Sequence, residues 1–161
     1  MDLQVIDNFL GDYQFKQLES FLFRKEFPWY YNDNIISGDN RYQFTHMLYD
    51  SELGVTSGGY EMMYGCLNKL NVKKLIRIKA NLRPQTLFHR SGGYHIDTEN
   101  VTTAILYLNT CNGGTIVIDP PKERFIESEA NKIIIFPCEY LHRGVMQTDT
   151  IRRAVININY E

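Results

Sequence analysis

Residues 101–120 read VTTAILYLNTCNGGTIVIDP, two short runs of β-forming residues on either side of a polar turn with two glycines. The runs VTTAILYLN (101–109) and TIVIDP (115–120) are rich in β-branched residues, which favour strands. The turn between them is too short to hold a helix, so the stretch predicts antiparallel strands and not a βαβ unit.

Runs of the same kind recur through the second half of the chain. They are KLIRIKANL (74–82), NKIIIFP (131–137) and IRRAVININY (151–160). Several short strands with turn residues and no helices between them predict an antiparallel sandwich or jelly roll.

The first part of the chain has a different pattern. GDYQFKQLESFLFR (11–24) places Phe15, Leu18 and Leu22 at helical spacing, and GGYEMMYGCLNKLN (58–71) can form a second short helix. Between them, FPWYYNDNIISGDNRY (27–42) is interpreted as a strand followed by a loop. We therefore predict one α+β, mainly β domain over residues 1–161. Its helical N-terminal part (1–73) packs on one sheet of a β core (74–161).

Composition and charge exclude several classes of protein. The net charge of −2 and the pI near 6.1 give no general attraction to nucleic acid or to anionic membranes. No apolar run reaches the ~18 residues of a membrane span. The start, MDLQVIDNFL, has no basic leader, and the three cysteines are widely spaced without a CxxC motif. These features predict a cytoplasmic protein without a disulfide framework or a structural zinc cluster.

The stretch SGGYHIDTEN (91–100) contains a candidate metal pair. On a strand, His95 and Asp97 project to the same side with attachment points roughly 6.5 to 7 Å apart. An imidazole nitrogen and a carboxylate oxygen suit a first-row metal, and His142 in FPCEYLHRGV (136–145) is the candidate third ligand. The alternative is a surface histidine beside a turn aspartate. His46 and His89 lie in no comparable arrangement and are interpreted as packed or surface residues.

The last strand supplies a candidate anion anchor. One face of this strand is predicted to be buried: Arg152, Ala154, Ile156, Ile158 and Tyr160. An arginine at the start of an apolar, buried face needs an anionic partner. That partner is either the far carboxylate of a dicarboxylic acid or a protein carboxylate such as Glu123 or Glu127.

Together, His95-x-Asp97, His142 and Arg152 resemble the 2-oxoglutarate and iron(II) dependent dioxygenases, particularly their small prolyl-4-hydroxylase-like branch in bacteria and phages. The resemblance covers roughly residues 74–160. TAILYLN (103–109) followed by NGG (112–114) is also similar to this branch, in which the residue matching Tyr107 binds the co-substrate. The alternative for Tyr107 is an ordinary core tyrosine.

The resemblance implies a double-stranded β-helix, the jelly roll also found in cupins. His95, Asp97 and His142 would hold iron(II), and Arg152 with Tyr107 would bind 2-oxoglutarate. The implied enzyme uses dioxygen, with ascorbate as a further cofactor, to hydroxylate a C–H bond, and it releases succinate and carbon dioxide. Its substrate would be a protein or peptide, including a prolyl residue, or a small molecule. If the chain is phage-encoded, the location is the host cytoplasm.

The sequence also departs from the family pattern. Asn81 and Leu82 stand where many relatives carry a tyrosine, and Ala154 stands where many carry serine or threonine. Ile158 replaces the second arginine of the nucleic-acid demethylase branch, which argues against base repair. Specificity is expected from loops at 32–60, 83–94 and 119–130. Two other functions remain open: a cupin-like metal-binding module or isomerase without oxygenase activity, and a structural jelly roll without metal.

Overall fold

The computed structural model describes residues 1–34 and 41–161. Within these residues the chain contains eleven strands, two α-helices and one 3-10 helix. In chain order the elements are β1 (Gln4–Ile6), α1 (Asp12–Phe23), β2 (Tyr30–Asn32), β3 (Gln43–Asp50), β4 (Gly54–Val55), the 3-10 helix (Gly58–Met63), α2 (Tyr64–Lys69), β5 (Leu75–Pro84), β6 (Thr102–Tyr107), β7 (Cys111–Asp119), β8 (Lys122–Ser128), β9 (Ile133–Pro137), β10 (His142–Val145) and β11 (Arg152–Tyr160).

The described strands form two antiparallel sheets. The large sheet has the order β1-β9-β6-β11-β5-β3-β2, with β4 paired to β3, and the small sheet has the order β10-β7-β8. Residues 108–110 carry the chain from β6 in the large sheet to β7 in the small one, so the two glycines predicted to lie in the turn belong to β7. This arrangement confirms the predicted fold class, a mainly β chain with a jelly-roll core.

Two apolar layers cover the large sheet, one on each face. On one face, the helices pack against the sheet, and Leu18 and Leu22 of α1 belong to the same core as Ile156 of β11. On the other face, Tyr107 and Phe136 belong to a smaller core shared with the small sheet. The helices therefore lie on one sheet, as predicted, and the central strands are buried on both faces.

Strands β5 and β11 divide their side chains between these two layers. Their even-numbered residues, among them Ile78, Ala80 and Ile158, pack toward the helices. Because strand side chains alternate, the odd-numbered residues point into the space between the sheets. Lys79 is the register partner of Asn157, so the polar side chains of the two strands form one continuous surface.

Three strands, β3, β4 and β8, lie in segments that were predicted to be loops. β3 pairs with both β5 and β2 inside the large sheet, so residues 1–73 are not only helical as predicted. The buried positions of β3 include the polar His46 as well as Leu48, which hides the apolar alternation expected of a strand. β8 forms a hairpin with β7, and mostly exposed residues hide its pattern as well. In the stretch 27–42, β2 is the predicted strand, and the turn residues 37–40 lie outside the described part.

Gly114 of β7 allows a close approach between the two strands of this hairpin. A Cβ atom at this position would lie 2.2 Å from the Ile126 carbonyl oxygen and 2.7 Å from the Phe125 ring. Because the first of these atoms is backbone, we expect Gly114→Ala to destabilise the fold by about 3 kcal/mol, as overpacking does. Chemical denaturation would measure the change in the free energy of unfolding.

Gly58 offers the matched control, since a Cβ atom added there meets nothing within 4 Å. Gly58→Ala should change the free energy of unfolding by no more than about 0.5 kcal/mol. Equal stability of the two variants would show that β7 and β8 do not pair as closely as described.

Candidate metal and co-substrate site

The structure brings His95, Asp97 and His142 together. Asp97 Oδ1 lies 3.9 Å from His95 Nε2 and 4.0 Å from His142 Nε2, and one donor atom from each residue lies within 4.8 Å of the others. A metal with bonds of about 2.1 Å brings its ligand atoms to about 3 to 4 Å from one another. The three side chains can therefore hold one ion after a small adjustment, and their role as ligands remains a prediction.

The two histidines are tied together through their backbones. His95 N donates to His142 O and His142 N donates to His95 O, both at 3.0 Å, which joins the segment after β5 to the start of β10. The register of β10 against β7, with His142 opposite Val117, sets the place of the second imidazole. The fold thus brings together two residues that are far apart in the sequence.

Backbone carbonyls also fix the tautomers of both rings. His95 Nδ1 lies 3.1 Å from Gly93 O, and His142 Nδ1 lies 3.4 Å from Tyr140 O. A carbonyl oxygen only accepts, so each Nδ1 must carry the proton and each Nε2 keeps a free lone pair. His142 Nε2 is buried without a hydrogen-bond partner among the described residues. Both histidines therefore present the nitrogen that a metal ligand needs.

Asp97 is held by amide donors from β11. Its Oδ2 accepts hydrogen bonds from Asn157 Nδ2 at 3.3 Å and from Asn159 Nδ2 at 3.5 Å. Its Oδ1 lies 3.3 Å from Arg77 Nη2, and Arg77 Nε donates to Asn159 Oδ1 at 3.1 Å. These contacts turn Oδ1 toward the two imidazoles.

The electrostatics of the site favour the protonation states in which metal ligands bind. Burial raises the pKa of Asp97, but the attraction of His142 in its cationic form, of Arg77 and of cationic His95 outweighs it, and this pKa lies below its usual value. Burial lowers the pKa of His142, and the opposing attraction of Asp97 is smaller. A carboxylate and a neutral imidazole are the forms that coordinate a metal.

The triad lines a polar cavity of about 240 Å³ between the two sheets. The lining residues are Gln43, Arg77, Lys79, Asn81, Arg83, His95, Ile96, Asp97, Ile105, Thr115, His142, Gly144, Arg153, Val155 and Asn157.

Arg153 is the buried arginine of β11 that faces this cavity. It is 4% exposed, its Nη2 donates to Thr115 Oγ1 at 3.0 Å, and its guanidinium lies 5.5 Å from the centre of the Tyr107 ring. Burial lowers the pKa of Arg153, yet a guanidinium stays charged in proteins. Its Nε has no hydrogen-bond partner among the described residues. This cation is therefore suited to a carboxylate bound in the cavity.

Arg152, the predicted anion anchor, lies on the opposite face of the sheet. Its guanidinium packs 4.1 Å from the centre of the Phe23 ring at the end of α1. The face that Arg152 shares with Ala154 and Ile156 is buried, as predicted, but it is buried against the helices. A shift of one residue along a strand reverses the face, so Arg153, and not Arg152, is the arginine of β11 that lines the cavity.

Tyr107 lies behind Arg153 and does not line the cavity wall. The residue is fully buried between the sheets, and burial raises its pKa while the nearby Arg153 lowers it. Its hydroxyl group is buried near the Arg153 and Thr115 side chains, and both interactions lower its pKa. Direct contact between Tyr107 and a co-substrate remains a prediction, and the observed neighbour of its ring is Arg153.

Sequence reasoning missed a row of polar residues on β5. Arg77, Lys79, Asn81 and Arg83 all line the cavity, and they alternate with apolar residues in RIKANLR (77–83). Strict alternation on a strand that lies next to β11 is the signal that could have identified this wall.

The remaining histidines and the cysteines lie outside the site. His46 is buried with its Nδ1 2.6 Å from Pro28 O, and His89 Nδ1 lies 3.0 Å from Met146 O. Within the described residues, the triad is the one group of histidine, cysteine and acidic donors that could hold a metal. Cys66, Cys111 and Cys138 are buried free thiols. Among the helices described, none is long and apolar enough to cross a bilayer.

Comparison with known proteins finds likeness in structure but not in sequence. No protein-family model matches the chain, and no curated protein matches it. A 2-oxoglutarate/iron(II) oxygenase-family oxidoreductase from Burkholderia pseudomallei superposes with a TM-score of 0.77 at 10% identity, over 99% of this chain and 85% of that one. A prolyl-4-hydroxylase from Pseudomonas putida gives 0.74 at 13% identity, over 99% and 92%.

Two further structures show the range of proteins with this fold. A prolyl hydroxylase from Trichoplax adhaerens, in complex with a hypoxia-inducible-factor peptide, gives a TM-score of 0.69 at 15% identity, over 99% of this chain and 83% of that one. An α-ketoglutarate-dependent epimerase of nogalamycin biosynthesis gives 0.66 at 11%, over 99% and 77%. The chain thus has the fold of the 2-oxoglutarate/iron(II) oxygenases, and the resemblance inferred from its sequence is confirmed at the level of the fold.

Proposed function

We propose that this protein is an iron(II)- and 2-oxoglutarate-dependent dioxygenase. The observation that carries the proposal is that one cavity between the sheets contains both a two-histidine, one-carboxylate triad and an arginine with an unused donor. Two imidazoles and one carboxylate with open positions are the ligand set of non-haem iron(II) oxygenases.

In this proposal, His95, Asp97 and His142 hold iron(II), which together with 2-oxoglutarate and dioxygen supplies the oxidising power. The protein supplies the ligand geometry. The Gly93 and Tyr140 carbonyls keep both Nε2 atoms unprotonated.

The co-substrate site follows from the position of Arg153. Its guanidinium and the Thr115 hydroxyl group lie side by side at the cavity wall, where they can bind the far carboxylate of 2-oxoglutarate. Ala154 faces the helices, so a serine or threonine at this position would not reach the cavity. With Arg153 as the anchor, the position two residues later is Val155, which lines the cavity and cannot donate the hydrogen bond of the family's serine or threonine.

Hydroxylation of a C–H bond is the proposed reaction, with succinate and carbon dioxide as the other products. The prolyl hydroxylases of the same fold, one of them bound to a peptide, favour a peptide or protein substrate, which includes a prolyl residue. A small molecule is the second candidate, because the fold also occurs in the α-ketoglutarate-dependent epimerase of nogalamycin biosynthesis.

Turnover of the co-substrate is the direct test. Purified protein incubated with iron(II), ascorbate and 2-oxoglutarate should form succinate, because oxygenases of this class oxidise the co-substrate slowly without substrate. The assay without ascorbate tests the proposed need for this reductant. A catalytically silent control is the same protein loaded with manganese(II).

Binding separates this proposal from the cupin-like alternative. N-oxalylglycine, an unreactive analogue of 2-oxoglutarate, should raise the melting temperature of the manganese-loaded protein, because it binds only the folded state. Metal binding without any effect of N-oxalylglycine or 2-oxoglutarate would favour a metal-binding module, and no metal binding would favour a structural jelly roll.

A further inference from the structure

Lys79 of β5 is a cation in the cavity that neither the triad nor the co-substrate anchor uses. Its side chain lines the same cavity as His95, Asp97 and Arg153, and it is only partly exposed. No hydrogen bond or ion pair of its ammonium group is found within the described part of the chain. Arg77, two residues away, is by contrast paired with Asp97 at 3.3 Å.

The position of Lys79 is close to the proposed reaction centre. Lys79 is the register partner of Asn157, whose amide donates to Asp97, and it pairs on its other side with Met47. The charges of Arg77 and Asp97 both act on it, and burial is the main reason why the pKa of Lys79 lies below its ordinary value. The ammonium group is thus partly removed from water beside the triad.

The charges of the cavity do not cancel when metal and co-substrate are added. Leaving Arg83 aside, the described lining residues include three cations, Arg77, Lys79 and Arg153, and one carboxylate, Asp97. A divalent metal adds two positive charges, and the 2-oxoglutarate dianion adds two negative charges. The four described residues counted here therefore keep an excess of two positive charges.

A neutral substrate would cover this excess charge without compensating it. Closing a cavity over an unpaired ammonium group is unfavourable, whereas an anion beside it forms a strong, charge-assisted hydrogen bond. Of the three cations counted here, Arg77 pairs with Asp97 and Arg153 is assigned to the co-substrate, which leaves Lys79 for such an anion.

We propose that the substrate is an anion, and that its carboxylate or phosphate group pairs with the Lys79 ammonium beside the His95, Asp97 and His142 triad. This inference rests on the proposed function and narrows its substrate class. It adds a second anion site to the cavity, separate from the Arg153 site for the co-substrate.

The test uses protein loaded with manganese(II) and N-oxalylglycine, so that the metal and co-substrate positions are filled. Four small probes with methyl protons are added: acetate and methyl phosphate, with acetamide and trimethyl phosphate as their uncharged counterparts. Paramagnetic manganese broadens the proton signal of a probe that binds near the triad. Comparison of acetate with methyl phosphate decides which anion the site prefers.

We expect broadening by at least one of the anions and none by the uncharged probes. Lys79→Met, which keeps the length of the side chain, should weaken anion binding by about tenfold or more. Lys79→Arg should retain binding, and so should Lys73→Met, because Lys73 is exposed and lies outside the cavity.

Three results would overturn the inference: broadening by acetamide equal to that by acetate, no broadening by either anion, or loss of N-oxalylglycine binding in Lys79→Met. The last result would assign Lys79 to the co-substrate. Binding of manganese and N-oxalylglycine is measured before any probe is added. Its failure in the unmodified protein would count against the proposed function itself, and with it against this inference.

Discussion

Arg153→Met is expected to abolish the binding of 2-oxoglutarate, whereas Arg152→Met should leave it unchanged. Arg153 is buried at the cavity wall beside Thr115, and Arg152 packs on Phe23 across the sheet. Loss of one partner of a buried charge pair costs about 2–5 kcal/mol, which corresponds to a decrease in affinity of about 30-fold or more. Calorimetric titration of N-oxalylglycine, the unreactive analogue of 2-oxoglutarate, into the manganese-loaded variants measures this affinity.

The neighbouring arginine makes this a closely matched comparison, because the two variants differ by one position and remove the same charge. Manganese binding should survive in both, since neither residue contacts the triad. If Arg152→Met lost the analogue and Arg153→Met retained it, the face assigned to β11 would be incorrect.

Asp97→Asn is expected to reduce metal affinity by more than about 100-fold. Removing a residue that only hydrogen-bonds to a metal ligand lowers the metal affinity by about 10- to 100-fold. Here the ligand itself loses its charge. The Arg77 guanidinium, 3.3 Å from Asp97 Oδ1, would also lose the carboxylate that compensates it. Titration with manganese(II), followed by the paramagnetic relaxation of water protons, gives the dissociation constant without any need for turnover.

Asp119→Ala is the control for this change, since Asp119 pairs with Arg124 at 3.2 Å on the β7–β8 hairpin, away from the cavity. This variant should bind manganese as tightly as the unmodified protein. Similar weakening in both variants would mean that the metal binds to scattered surface carboxylates and not to the triad.

Much of this architecture follows from local patterns in the sequence. The runs at 74–82, 131–137 and 151–160 correspond to β5, β9 and β11, and the helix predicted at 11–24 corresponds to α1. These elements are predictable because each has one strong periodicity of apolar residues. β3 could not be predicted in this way because a buried histidine, His46, interrupts its apolar face.

The convergence of the triad could be proposed from the sequence, but the choice between Arg152 and Arg153 could not. Period-two alternation shows which residues of β11 share a face, and it does not show which layer that face meets. The more apolar face was taken as the interior of the β core. In the structure it packs against the helices, and the face of β11 toward the small sheet carries the polar Arg153 and Asn157 because the cavity lies there.

The residues around Asp97 depend on contacts between distant segments. In the sequence, Asn157 and Asn159 are ordinary strand residues. Arg77 lies on β5, and the loop after β5 separates it from Asp97. Only the pairing of β11 with β5 brings their donors to one carboxylate. No local pattern contains this information.

The two sheets of the sandwich are held together in two ways within one interface, because Phe136 and Val117 pack beside His142. Tyr107, Phe136 and Val117 fill one region with hydrocarbon, while the region around Asp97 and His142 is lined by charges. His142 belongs to the small sheet, and Asp97 is anchored to the large one through Asn157. An ion shared by these two side chains would be a cross-link between the layers, so coordination bonds would set the spacing of the sheets there together with the van der Waals packing beside His142.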